Sequence, residues 1–166
     1  LMHGQDDSKY LAGAVPEVDG KVVFSKTFSF PGVTQDAIYD RIYPWLENRM
    51  KSNENKSRIV YSTKENGQIV ASGEEFLFFT SNALSLDRAI MNYQIVVNCK
   101  PEQCQVDFER IRYEYQDKEK YTAEEQITDG VALNKDKTKI HRGYKKFREK
   151  TVDFADDLFG DVRVAF

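Results

Sequence analysis

The 166-residue chain contains only two cysteines, two histidines, one tryptophan and four prolines. Such a set lacks the four spaced ligands that a structural zinc site needs. No apolar run approaches the roughly 18 residues of a membrane-spanning helix, so no transmembrane segment is expected. Neither charge dominates: 24 Lys and Arg against 27 Asp and Glu leave a formal net charge of −3. That is not the balance of a dedicated nucleic-acid binder. Gly-x-Ser-x-Gly, His-Glu-x-x-His, a phosphate loop and a dinucleotide-binding glycine motif are all missing. The sequence therefore marks no catalytic residue, metal site or cofactor. It also shows no internal repeat.

Aromatic residues are plentiful, with 11 Phe and 9 Tyr. A chain of this length buries roughly 70% of its unfolded surface, so one folded domain is expected. The periodicities divide it into an extended lead-in over 1–19, one α+β domain over 20–160 and a strand-like end over 161–166. Val22, Phe24, Phe28 and Phe30 share one face of a first strand, which Pro31-Gly32 ends. Thr34 reads as an N-cap for a helix whose stripe is Ile38, Ile42, Trp45, Leu46 and Met50. Pro44 lies inside that helix and predicts a kink.

Four strands are expected next, over 58–63, 68–80, 88–99 and 104–116. Asn66-Gly67 marks a hairpin, and Gly73 is read as a bulge. In the last strand Cys104, Val106 and Phe108 share a face, while Ile111, Tyr113 and Tyr115 continue one step out of phase. A period of two cannot absorb that step, so a bulge near Glu109-Arg110 is expected. Thr122-Ala123-Glu124-Glu125 reads as a capping box. A long amphipathic helix runs from Ile140 to Leu158, with Gly160 as its C-cap. Short turns between the middle strands make an antiparallel sheet, and the order β-α-β4-α puts both helices on one of its faces.

Cys99 and Cys104 bracket a four-residue hairpin loop, where facing residues can be bridged. The readings are a structural disulfide, two free thiols or redox chemistry. Redox pairs usually have two intervening residues at a helix start, so the disulfide is the expectation. It implies an oxidising compartment. The first residues, with His3 among them, lack the charged and apolar regions of a signal peptide. A mature N-terminus is therefore expected.

The β-α-β4-α order resembles a family of unknown function in four stretches: Tyr10-Leu11-Ala12-Gly13-Ala14-Val15-Pro16, Ala83-Leu84-Ser85-Leu86-Asp87-Arg88, Lys120-Tyr121-Thr122-Ala123-Glu124-Glu125 and Lys150-Thr151-Val152-Asp153-Phe154. The family comprises exported proteins of the Bacteroides group with a fold like the TATA-box-binding protein. The resemblance implies that fold and a periplasmic, outer-membrane-associated or secreted location. It brings no activity, cofactor or catalytic residue, and fold alone does not imply DNA binding.

Several residues are candidates for a ligand or partner surface. Trp45, Tyr113, Tyr115, Tyr121, Phe76, Phe78 and Phe79 are core or pocket aromatics. Neighbouring strand residues point to opposite faces, so Glu74 and Glu75 form no acid–base pair. Glu75 is an ion-pair partner of a helix or a polar anchor in a cavity. His141, Arg142, Lys145 and Lys146 belong to a run, 135–150, with eight basic and two acidic residues; 151–166 has four Asp and one Arg. This order opposes the helix macrodipole. The run is a solvated face or a docking surface for an acidic partner, anionic glycan or lipid headgroup. The leading functional reading is a non-enzymatic binding module whose partner is an unknown protein or an anionic or apolar ligand, with no nucleic acid. The alternatives are a carrier of a lipid or apolar molecule between sheet and C-terminal helix, and a hydrolytic enzyme.

Overall fold

A computed structural model describes residues 5–53, 56–81 and 83–166. His3 and the expected start of the lead-in lie outside them. Seven strands, β1 (Glu17–Val18), β2 (Lys21–Ser29), β3 (Arg58–Thr63), β4 (Gln68–Ser81), β5 (Leu86–Lys100), β6 (Gln103–Tyr115) and β7 (Glu119–Thr122), form one antiparallel sheet. Its order is β1-β2-β6-β5-β4-β3, with β7 also on β6. Helices α1 (Gln35–Lys51) and α4 (Lys145–Ala165) pack on it, and α2 (Ala123–Gln126) and α3 (Asp129–Ala132) are single turns. The β3-β4-β5-β6 meander and the α+β class agree with the sequence reading.

The inner face follows the period of two. Ala89, Met91, Tyr93, Ile95, Val97 and Cys99 of β5 are all buried and form one core with Ile38, Ile42, Leu46 and Met50 of α1. Ala155, Leu158 and Val162 of α4 join the same core. Thr34 caps α1 by accepting the Ala37 amide, and α1 runs through Pro44 as one helix.

The bulge in β6 is where the phase shift placed it. Asn92 pairs with Arg112 but Gln94 pairs with Glu109, and Arg110 adopts φ +53°. At the same point β6 exchanges its outer neighbour, pairing β2 up to Glu109 and β7 from Arg112. The capping box at Thr122 and Glu125 is formed. Glu124 goes further: its carboxylate accepts the Val22 amide at 2.6 Å and so ties α2 to β2.

Five expectations need correction. The lead-in is not extended throughout: Gln5–Tyr10 is a 3-10 helix, and β1 pairs with β2 across an Asp19-Gly20 turn with both φ positive. Gly73 is no bulge; it stays in register opposite Tyr93, whose ring lies where a Cβ would stand. The long helix begins at Lys145 rather than Ile140, because Ile140 forms a β-bridge with Leu133 and the His141 amide binds the Ala132 carbonyl. At the other end, 161–166 is no strand and Gly160 is no cap. The helix continues through both, since Ala155, Leu158 and Val162 keep helical spacing and bury Val162 completely.

Candidate functional site

The aromatics proposed as one pocket separate into three groups. The first closes around Phe147 of α4. Tyr113, Tyr115, Tyr121 and Phe79 lie with ring centroids 5.1, 5.3, 5.8 and 4.7 Å from it. Tyr113 is fully enclosed and shares a 2.7 Å hydrogen bond with Thr151. Burial drives its phenol pKa above the ordinary tyrosine value. Beside it, Tyr115 donates to Asp87 at 2.6 Å, and Lys146 donates to both Asp87 and Tyr115 at 2.7 Å. Hydrogen bonds from Lys146 and then Tyr115 hold the Asp87 pKa below its usual value. Lys146 also stands 5.0 Å over the Phe79 ring. Its charge is thus spent within the fold, tying α4 to the start of β5.

The second group joins Trp45 and Glu75 through Arg49 of α1. Arg49 lies over Trp45 and pairs with Asp161 of α4 at 2.7 Å. On its other side a cleft of about 340 Å³ is lined by Arg49, Ser52, Asn53, Glu75, Phe76 and Phe78. Glu75 faces the helices and accepts the Tyr93 hydroxyl. Burial, then the Glu75 carboxylate, raises the Tyr93 pKa. Glu75 therefore anchors Tyr93 as well as lining a cleft.

The third group lies on the opposite face. Register alternation puts Phe76 and Phe78 of β4 beside Ile90 and Arg88 of β5, on the face opposite the core, where Phe76 and Phe78 also border the end of α1 across the Arg49 cleft. The Arg88 guanidinium is 3.8 Å from the Phe76 centroid. Phe78 is 45% exposed, and Leu86 in the same region is 58% exposed, so these side chains meet solvent. The space assigned to an apolar cargo, between sheet and α4, is filled: Tyr93 and Phe108 pack on Phe154 at 5.3 and 5.0 Å.

Cys99 and Cys104 face each other in the β5–β6 register, both buried, as free thiols. The Cys99 amide points away from β6, to the Gly67 carbonyl. The two therefore form a non-hydrogen-bonded cross-strand pair, the closer kind, with Cα atoms typically about 4.5 Å apart. The neighbouring Cys99 thiol and then burial push the Cys104 pKa up. His141, Arg142 and Lys145 are exposed and lie apart from these groups, His141 and Arg142 in the turn before α4 rather than on it.

Sequence reasoning missed the most connected polar residue. Arg148, counted only within the basic run, is completely buried. It donates to the carbonyls of Tyr10, Leu11 and Ile127 at 2.6–2.8 Å and to the Asp129 carboxylate at 2.8 Å. The signal was available: Arg148 is adjacent to Phe147 and three residues before Thr151, on the margin of the buried stripe.

A profile described as a domain of unknown function (DUF4468) with TBP-like fold matches residues 24–114. A DUF4468 family protein from Bacteroides ovatus has a crystal structure with 59% sequence identity and TM-score 0.94, covering 97% of this chain and 95% of its own. A TBP-like protein from Parabacteroides distasonis, at 24% identity and TM-score 0.77, covers 92% and 96% and shares the fold. The comparison with curated proteins gives no match.

Proposed function

The chain belongs to the DUF4468 family of TBP-like domains of unknown function, and from that premise we propose that it is a non-enzymatic binding module of the bacterial envelope that receives a partner protein on the open face of its sheet. The contrast between the two faces carries this reading. One is buried under α1 and α4. The other presents Phe76, Phe78, Ile90 and Leu86 around Arg88, bordered at Phe76 and Phe78 by the end of α1 and, among the described residues, not covered by a layer of helices. Clustered apolar side chains rimmed by charge are typical of protein interaction sites.

The charge on this face favours a protein over a nucleic acid. Its acidic side chains, Glu74, Asp107, Glu109 and Glu114, are interleaved with the basic ones, Lys21, Arg58, Arg88, Lys100, Arg112 and Lys120. Carboxylates spread among the cations repel a phosphate backbone. The envelope location is supported by the cross-strand geometry of Cys99 and Cys104, which suits a disulfide.

The test is photocrosslinking in a Bacteroides host, with the photoreactive residue at Ile90 and, as a control, at exposed Asp157 of α4. A discrete adduct from Ile90 in the envelope fraction, absent from Asp157 and lost with Phe78→Glu, is the expected result. The same adducts from both positions refute the docking face. Recovery of the protein solely in the cytosol refutes the envelope assignment.

A further inference from the structure

The turn between α3 and α4 is a second surface, independent of the open sheet face. Leu133 and Ile140 close it as a β-bridge. Within it the Asn134 side-chain oxygen accepts the amides of Thr138 and Lys139 at 2.8 and 3.1 Å. The Lys137 amide, in a residue with φ +58°, binds the Asn134 carbonyl at 2.9 Å. The loop thus has one shape, and it holds its charges outward.

Five of those charges, Lys135, Lys137, Lys139, Arg142 and Lys145, are exposed. Among the described residues none of them is paired with a carboxylate. This separates them from Lys146 and Arg148 of the same run, which the fold consumes. Lys139 and Lys145 also line a groove of about 250 Å³ that contains Leu11 and Ile140. The cluster opens α4 at the end where the helix macrodipole disfavours positive charge. The isolated protein therefore carries a local electrostatic cost that a negatively charged partner relieves.

We propose that this loop and groove dock an acidic, extended segment of a partner protein, its carboxylates on the lysine rims and an apolar side chain against Leu11 and Ile140. The groove distinguishes a peptide from the other polyanions. Ile140 and Leu11 are half-buried in it rather than projecting, so they supply no wedge for a lipid surface. No exposed aromatic interleaves the five cations to stack a nucleic-acid base.

The experiment measures fluorescence anisotropy of a short labelled peptide of alternating Glu and Leu against the intact chain. Wild-type protein is compared with a loop triple reversal, Lys137→Glu, Lys139→Glu and Lys145→Glu. The control triple is Lys21→Glu, Lys100→Glu and Lys118→Glu, exposed lysines elsewhere with the same change in net charge. Binding that weakens with salt is expected. Loss of three exposed charge pairs should cost the loop triple about tenfold or more in affinity, while the control triple keeps its affinity. A Lys→Gln version of the loop triple, checked for an unchanged melting temperature, should also lose affinity if the charges are the cause. The proposal is overturned by no binding to wild type, or by equal loss in both reversal triples. Phosphatidylglycerol vesicles or duplex DNA bound as tightly as the peptide also overturn it.

Discussion

Replacing Arg148 with Met is the sharpest test of how the N-terminal segment is held. The substitution keeps a long side chain and removes every donor. Three backbone carbonyls, from Tyr10, Leu11 and Ile127, lose a partner, and so does one oxygen of Asp129. Asp129 retains the Gly13 amide at 3.1 Å on its other oxygen. Breaking a buried ion pair from one side costs about 3–5 kcal/mol. Asp129 is 21% exposed, and water can reach its carboxylate, so the lower part of that range applies. For a domain of this size about 3 kcal/mol corresponds to a fall of about 6–12 °C in melting temperature. Arginine is required because its planar fork reaches several acceptors at once, whereas Lys presents a single point charge.

Thermal and urea melts give the loss of stability, and amide hydrogen exchange over 8–16 locates it. The expected pattern is loss of protection there before any loss in β5. A double-mutant cycle with Asp129→Asn isolates the pair, and the two changes should be clearly non-additive. A stability loss below about 1 kcal/mol, within the range of an ordinary surface change, would refute the clamp. So would unaltered exchange in the N-terminal segment.

Three further outcomes are expected. Gly160→Ala should stabilise the protein by about 0.5–1 kcal/mol, because Gly160 lies inside α4 and its added Cβ meets nothing within 4 Å; a loss of stability in melts would restore the cap reading. Asp87→Asn should flatten the acid limb of a melting-temperature profile. The folded carboxyl titrates below its ordinary 3.8, so its contribution is present above that value and lost as pH falls through the depressed one. An unchanged acid limb sinks the argument. Protein isolated from its host, denatured without reductant, should leave Cys99 and Cys104 unalkylated, and reduction should lower stability by about 2 kcal/mol for so small a ring; labelling of both without reductant means that they are thiols there.

Strands were legible because burial writes itself directly into their sequence. The β5 alternation from Ala89 to Cys99 admits one inward face. The phase slip between Phe108 and Ile111 has one economical solution, a residue out of register, and Arg110, in a left-handed backbone conformation, sits at that point. Helix ends were harder to read. Ile140 and Tyr144 fit a helical stripe equally well whether they are helical or not. The contact that decides between them, Ile140 with Leu133, is set by tertiary placement. The alternation of Val162, Val164 and Phe166 fits a strand locally, yet Val162 also completes a helical stripe with Leu158, and the core selects that one.

The polar residues divide along the same line. A basic run reads as one feature in sequence, but burial sorts it residue by residue. Arg148 is enclosed, Lys146 is held by Asp87 and Tyr115, and Lys137, Lys139 and Lys145 remain outside. Helical period accounts for much of this. Phe147, Thr151, Ala155 and Leu158 define the inward stripe, Arg148 sits on its margin, and Lys145 falls on the solvent side. What period cannot supply is the acceptors. Tyr10, Leu11, Ile127 and Asp129 come from segments far from Arg148 in sequence, and only their convergence turns a buried cation from a penalty into a clamp. The free lysines are identified by the same subtraction. Once the fold has used Arg148 and Lys146, most of the positive charge that remains in the run lies on the rigid loop before α4 and on the first residue of that helix, where an external anion can meet it.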